Sequence, residues 1–415
     1  MKNFSYFIAR RLSFSNEGKH SAMRPGIKIA TFGIAAGLAV MLVAFSVVVG
    51  FKNEVSSQIT GFGAHIQISS YDTGNSFEKH PIELSDNTLR KISSLKYVKK
   101  YEKTVTKPSI IKTADSFQGV VFKGVDSTFC WDFFQKNLDC GEIIDYKKAE
   151  NNNKVLVSKY LANALELKVG DSFNSYFFQN QARVRKFEIA GIYSTTYSDF
   201  DKIFVISNLQ PVQILNQWDS AQFSTLEIML TDFSKLETVR NEILDIVGNR
   251  FSDDGMLYNT LTIKQLFPQI FNWLDMLDMN AWVILGLMLI VAGFNMISGL
   301  LILILERTQT IGVLKALGMR NFGIRKIFLF HALFFVVRGM FWGNIFGTGI
   351  VVLQYFTHII HLNPEFYYVS FVPVSLNIPI WLIINICVFF TSILFLVLPS
   401  YIITKISPAK AIKFE

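Results

Sequence analysis

Apolar and polar positions divide the chain into two textures. Uncharged apolar runs cover Ile29 to Gly50, Ala281 to Leu305 and Ile378 to Leu398, each long enough to cross roughly 30 Å of hydrocarbon at about 1.5 Å of helix rise per residue. Another apolar stretch follows Arg325 and Lys326 but is split by Arg338. A straight span from Ile327 would carry that guanidinium to mid-bilayer, at roughly 2.5 to 3.5 kcal/mol. The pattern therefore predicts an interfacial helix to about Val337 and a span over Gly339 to Thr357; the other reading is a functional buried charge, paired across a dimer. Near the start, Phe4, Phe7, Ile8 and Leu12 share a helical face opposite Lys2 and Arg10, as in a helix lying in the membrane interface. The run after it is too long for a signal-peptide core and reads as an uncleaved anchor.

Between Phe51 and about Asp278 the texture changes to short alternating strands, polar turns and charges of both signs. Strands are expected at His65 to Ser69, Val120 to Val125, Lys154 to Val157, Val184 to Ile192 and Ile203 to Ile206. Ser85 is placed to cap a helix through Leu95, and Phe233 to Gly248 carries apolar residues at helical spacing. This makes a folded domain of about 225 residues, enough for one large core or two lobes. The expected fold is an α+β membrane protein: four transmembrane α-helices, with a large α+β extracytoplasmic domain between the first and second. The boundaries are 1–52, 53–278 and 279–415.

Small residues mark where helices can approach closely. Gly33 and Gly37, with Ala30 and Ala44, do so on the first span, and Gly339, Gly343 and Gly347 form two small-xxx-small steps on the third. Glu306 and Arg307 mark the water boundary after the second span. Beyond them Ile311, Leu314 and Leu317 recur at helical spacing, with Thr308, Gly312, Lys315 and Ala316 on the other side, until Gly318 stops the helix. This predicts a short amphipathic helix offering a docking surface.

Charge fixes the expected topology. The net charge is +8, yet the basic residues sit beside apolar runs, which excludes a nucleic-acid stripe. Clusters at Lys2 to Lys28, Arg307 to Lys326 and Lys405 to Lys413 belong on the cytoplasmic side, whereas His358 to Asn377 holds no lysine or arginine and belongs outside. Both termini are then cytoplasmic.

Chemistry is sparse. There is no G-x-x-x-x-G-K-[ST] loop to cradle phosphates, no H-E-x-x-H and no G-x-S-x-G. Asp253 and Asp254 sit beside Gly255 as a turn would, and His358 and His361 have no matched acidic or cysteine partner. Cys387 falls in a span, while Cys130 and Cys140 are read as free thiols or as a disulfide. No catalytic, cofactor or metal site is expected in this chain.

The stretch Glu306-Arg-Thr-Gln-Thr-Ile-Gly-Val-Leu-Lys-Ala-Leu-Gly318 resembles the E-R-T-x-x-I-G-x-x-x-A-L-G signature of FtsX-like ABC transporter permeases, the group containing MacB and the lipoprotein-releasing LolC and LolE. The ending Ile406-Ser-Pro-Ala-Lys-Ala-Ile-Lys-Phe-Glu415 resembles that family's tail. Three pieces, Phe122-Lys-Gly-Val-Asp126, Val157 to Asp171, and Phe187 to Tyr193 followed by Tyr197 to Asp201, resemble its periplasmic core, the last two of the three more closely in the lipoprotein-releasing branch. The resemblance implies a multi-pass protein of the bacterial inner membrane. Its expected partners are a separate ATPase that uses ATP and magnesium, a second copy or a paralogous permease, lipoproteins, a periplasmic lipoprotein chaperone and membrane lipid. It makes Glu306, Arg307, Thr310, Ile311, Leu314, Lys315, Leu317 and Gly318 the coupling segment. The family's acidic positions in this segment and the next helix are Thr310 and His331 here, which removes any salt bridge made through them. An acyl-chain route is expected along Phe45, Val48 and Phe51, at the outer half of the first span and facing the second.

Overall fold

The computed structural model describes residues 25–71, 77–113, 116–178, 182–195, 197–248 and 257–406. The expected interfacial helix at Lys2 to Leu12, the pair Asp253 and Asp254, and the tail beyond Ile406 lie outside them. In chain order the elements are α1 (Pro25–Gly63), β1 (Ile66–Ser70), α2 (Asp86–Ser93), β2 (Val98–Lys112), β3 (Phe117–Val125), β4 (Leu138–Gly141), β5 (Lys154–Ser158), β6 (Ser172–Phe177), β7 (Arg183–Tyr193), β8 (Phe204–Asn208), α3 (Leu209–Asn216), β9 (Thr225–Leu230), α4 (Leu236–Val247), β10 (Tyr258–Thr262), α5 (Pro268–Glu306), α6 (Thr308–Ala316), α7 (Asn321–Thr357) and α8 (Ile378–Ser400), with single-turn helices left unlabelled. The chain forms two compact units: 53–272 with 362–370, and 1–52 with 273–361 and 371–415.

The first unit is built on one mixed sheet in the order β10-β1-β9-β2-β3-β8-β5-β7-β4, with β6 pairing both β2 and β7. β3 runs parallel to β8, and β5 parallel to β7; β2 is antiparallel to β3, β6 and β9. Phe122, Phe177 and Phe187 meet at ring-centroid distances of 5.2 and 4.7 Å to form its apolar centre. Ser85 caps α2 as its position predicts, accepting from the Thr88 N–H. β2 is a 15-residue strand with no counterpart among the expected strands. It buries Glu102 and Lys107, and its neighbours bury Lys123 and Glu227, whose ammonium and carboxylate meet at 2.9 Å. Cys130 and Cys140 are both free thiols.

The second unit packs helices through small residues and amide pairs. A β-carbon at Gly339 would stand 2.9 Å from Ile34 and 3.0 Å from the Thr31 carbonyl; at Gly343 it would meet the Ala35 carbonyl at 2.8 Å and at Gly347 the Ala39 Cα at 3.0 Å. The three expected glycines thus seat α7 on α1, the two helices running parallel. Gly33 receives Asn295 of α5, which an added β-carbon would meet at 2.6 Å, while Gly37 leaves an ordinary 3.9 Å contact to Ala292. Asn344 and Asn385 exchange amide hydrogen bonds of 2.8 and 3.0 Å between α7 and α8.

Among the described residues three helices are long and apolar enough to cross a membrane, within Lys28–Gly63, Pro268–Glu306 and Ile378–Thr404. The fourth expected span lies in α7, which is not one of them; His331, Arg338, Asn344 and Gln354 interrupt its apolar sequence. α7 runs unbroken for 37 residues, so the interfacial helix and the span are one helix rather than two. The register against α1 explains how Arg338 is accommodated. Gly339 sits at Thr31, one turn beyond Lys28, so Arg338 lies level with the charged start of α1 and not with the middle of its apolar run.

Candidate functional site

α5 ends at Glu306, and Arg307 leaves helical geometry at φ −111° and ψ 21°. The Thr308 hydroxyl donates back to the carbonyls of Leu305 (2.8 Å) and Ile304 (3.2 Å), satisfying acceptors that the turn exposes. α6 then runs for 9 residues. Gly318 closes it at φ +84°, a left-handed conformation that costs glycine little.

Which way α6 faces differs from the sequence expectation. Ile311 is fully buried, within one cluster with Leu300, Leu303, Ile304, Ile324 and Phe328, and Leu314 packs on that cluster. These two are therefore not a free docking row. Their apolar character is spent inside the unit, because a helix this short has to anchor itself before it can present anything. The outward apolar side chains are Leu317 (78% exposed), Val313 (49%) and Phe322 at the start of α7 (75%). Glu306 is exposed and Thr310 half-buried at the edge of this face.

Lys315 has an internal role that spacing did not disclose. Its ammonium donates to the carbonyls of Ile403 (2.8 Å), Thr404 (3.2 Å) and Ile406 (2.7 Å), the unpaired carbonyls at the end of the short helix Ile402–Lys405. Partial desolvation lowers its pKa. Nearby, Arg325 donates to the Ser400 hydroxyl at 3.2 and 3.1 Å and stacks 3.8 Å above the Tyr401 ring. α6, the base of α7 and the end of α8 are tied into one block with an apolar outer face.

A short apolar helix after a span, held in such a block, belongs to a known architecture. The family "FtsX-like permease C-terminal" matches residues 282–408, and "MacB-like periplasmic core domain" matches residues 29–246. The chain belongs to the FtsX-like permease family. It is 21% identical to the lipoprotein-releasing system transmembrane protein LolC of Xylella fastidiosa, over 92% of each chain. It is 22% identical to the lipoprotein-releasing system transmembrane protein LolE of Haemophilus influenzae, over 99% of each. A solved periplasmic region of MacB from Actinobacillus actinomycetemcomitans aligns over 53% of this chain and 98% of its own at a TM-score of 0.35 and 12% identity.

Midway along α1, this permease places the expected route residues differently from one another. Phe45 lies edge-on to Trp282 at 6.4 Å, and Phe51 is buried edge-on to Trp273 at 6.3 Å, so both face α5 as expected. Phe51 is consequently a packing residue. Val48 is half-buried and lines neither that contact nor the nearby cavity. That cavity, of about 150 Å³, opens between Leu42, Phe45, Ser46 and Val49 on one side and Leu376 and Trp381 on the other. The segment before α8 reaches α1 there: the Ser375 N–H donates to the Ser46 carbonyl at 3.0 Å, and a side chain at Gly50 would strike the Pro373 carbonyl. Ser46, Val49 and Gly50 were not distinguishable in the sequence, since the segment they meet is more than three hundred residues away.

Proposed function

We propose that this permease is the membrane subunit of a lipoprotein-releasing ABC transporter, which extracts lipid-anchored proteins from the outer leaflet of the inner membrane using ATP hydrolysed on magnesium by a separate ATPase. The observation that carries the reading is the match to LolC over 92% and to LolE over 99% of each chain, together with a MacB-like core domain at residues 29–246 followed by an FtsX-like permease region at residues 282–408. Four spans with both termini cytoplasmic fit the three basic clusters and the absence of lysine and arginine from His358 to Asn377. A second copy or a paralogous permease completes the assembly, and a soluble periplasmic chaperone receives the released lipoprotein. The outward face of Leu317, Val313 and Phe322 docks the ATPase, while acyl chains enter along the outer half of α1 around Phe45, Val48 and Val49.

The test is to purify the protein from its native membrane and identify what comes with it. An ATPase and acylated proteins are expected, and Leu317→Asp should remove the ATPase while leaving insertion unchanged, because a charge placed in a desolvated groove costs several kcal/mol. Recovery of the ATPase with no acylated protein would sink lipoprotein release. It would favour the second reading, an efflux or force-transmitting machine, which the match to the MacB-like core domain also accommodates. Labelling of a cysteine at Lys413 by an impermeant reagent in intact cells would overturn the topology.

A further inference from the structure

A groove of about 680 Å³ runs between α1 and α7. On α7 it is lined by Phe335, Arg338, Trp342, Phe346 and Ile350, one continuous stripe at helical spacing. On α1 the small side chains of Ala35, Ala36 and Ala39 leave its floor open, and Lys28 stands at its end. Because Gly339 packs at Thr31 and Gly347 at Ala39, the helices run in parallel register, which brings Lys28 and Arg338 to the same end. Among the described residues neither cation has a hydrogen-bond or ion-pair partner, and none that lines the groove carries a carboxylate. From Arg338 to Ile350 the stripe extends about 18 Å at about 1.5 Å per residue, close to the roughly 15 Å thickness of one hydrocarbon leaflet.

We propose that this groove holds one anionic glycerophospholipid of the cytoplasmic leaflet, with its phosphate between Lys28 and Arg338 and an acyl chain lying along Trp342, Phe346 and Ile350. Two cations at one end of an apolar trough match a negative headgroup on a hydrocarbon tail, and ordinary lipid contact with the protein surface would not require them. The site rests on the topology given above but not on lipoprotein release, and it lies nearer the start of α1 than the expected substrate route. The small residues of α1 serve it as well: larger side chains at Ala36 or Ala39 would fill the trough.

The test uses the purified full-length chain in detergent, titrated with phosphatidylglycerol or phosphatidylcholine and read by native mass spectrometry. Phosphatidylglycerol should be retained preferentially. Lys28→Gln with Arg338→Gln should lower its retention about thirtyfold, whereas Arg338→Lys should largely preserve it. Ala36→Trp, with both cations intact, should lose the lipid by occlusion. Equal retention of the two lipids, or unchanged retention of phosphatidylglycerol by the doubly neutralised chain, overturns the site. So does efficient disulfide formation between two copies carrying Phe346→Cys, with Cys130, Cys140 and Cys387 replaced, because the groove would then be a subunit interface. A chain that binds phosphatidylglycerol selectively but captures no acylated protein upholds this site while defeating lipoprotein release.

Discussion

The sheet unit and the helical unit bury polar groups by opposite means. The sheet unit buries full charges: Lys123 with Glu227, Glu102 beside Lys100, and Lys107 against Glu78. The helical unit buries amides and main-chain acceptors instead, pairing Asn344 with Asn385 and setting Lys315 on helix-end carbonyls. The reason is the cost of removing an ion from water. A sheet core with ladder amides and nearby water can repay part of that cost, whereas within hydrocarbon a neutral reciprocal pair satisfies both partners at less expense. The comparison teaches that a buried lysine marks the folded domain in one unit and a helix terminus in the other.

The contrast is broken most strongly by removing one member of a buried ion pair. Lys123→Met leaves the Glu227 carboxylate uncompensated and should destabilise the sheet unit by about 3 to 5 kcal/mol, seen as faster hydrogen exchange in β3 and β9 with the helical unit unaffected. The double variant Lys123→Met with Glu227→Leu should recover most of that loss.

Acid tests the same unit next. Burial, with Lys99 nearby, pushes His65 down to about 4, and its ring nitrogen accepts from the Leu230 N–H at 3.1 Å. The stability this neutral imidazole contributes is fully present above about pH 6.5 and is lost as pH falls through 4, a term on the order of 2 to 3 kcal/mol. Asp201 opposes it. Burial raises its carboxyl to about 6 despite hydrogen bonds from the Thr195 N–H and hydroxyl, so its contribution is present below about pH 4 and lost as pH rises through 6. In His65→Asn, lowering the pH from 7 to 5 should therefore raise the protection factors of the sheet unit, measured relative to the intrinsic exchange rate at each pH, where those of the unsubstituted protein change little. A parallel acid response of the two proteins would refute the opposition.

In the helical unit the expected effects are smaller. Gly343→Val would press a side chain on the Ala35 carbonyl and should cost about 1 to 3 kcal/mol, separating α1 from α7 and loosening cysteine crosslinks between them. Asn385→Leu should cost about 0.6 to 1.7 kcal/mol, the range measured for hydrogen bonds between membrane helices. A larger loss than Gly343→Val would mean that the amide pair outweighs close packing.

What could be read from the sequence was local. Ser85 and Gly318 act within a turn of their own positions, and the Gly339, Gly343 and Gly347 spacing repeats along one helix, so each announced its role. β2 did not, because Lys100, Lys103 and Lys107 interrupt the apolar alternation that identifies a strand, and only the partners Glu102, Glu78 and the ring of Phe223 make those positions acceptable. The inward turn of Ile311 was hidden for a related reason. An apolar row on a short helix fits a docking face and a buried face equally well, and the choice depends on Ile324 and Phe328, which follow in α7. Gly50 likewise reads as one more glycine in a span until the segment containing Pro373 arrives beside it.

The grip of Lys315 carries a last consequence for how the end of the chain can vary. An ammonium held by three main-chain oxygens recognises a helix terminus and is indifferent to the side chains that terminus carries. Substitution of Thr404 or Lys405 should leave the anchorage intact, as long as the final turn keeps its shape. The short helix Ile402–Lys405 is thereby free to change its side-chain chemistry while its mooring to α6 stays constant, and one substitution, Lys315→Met, would release it.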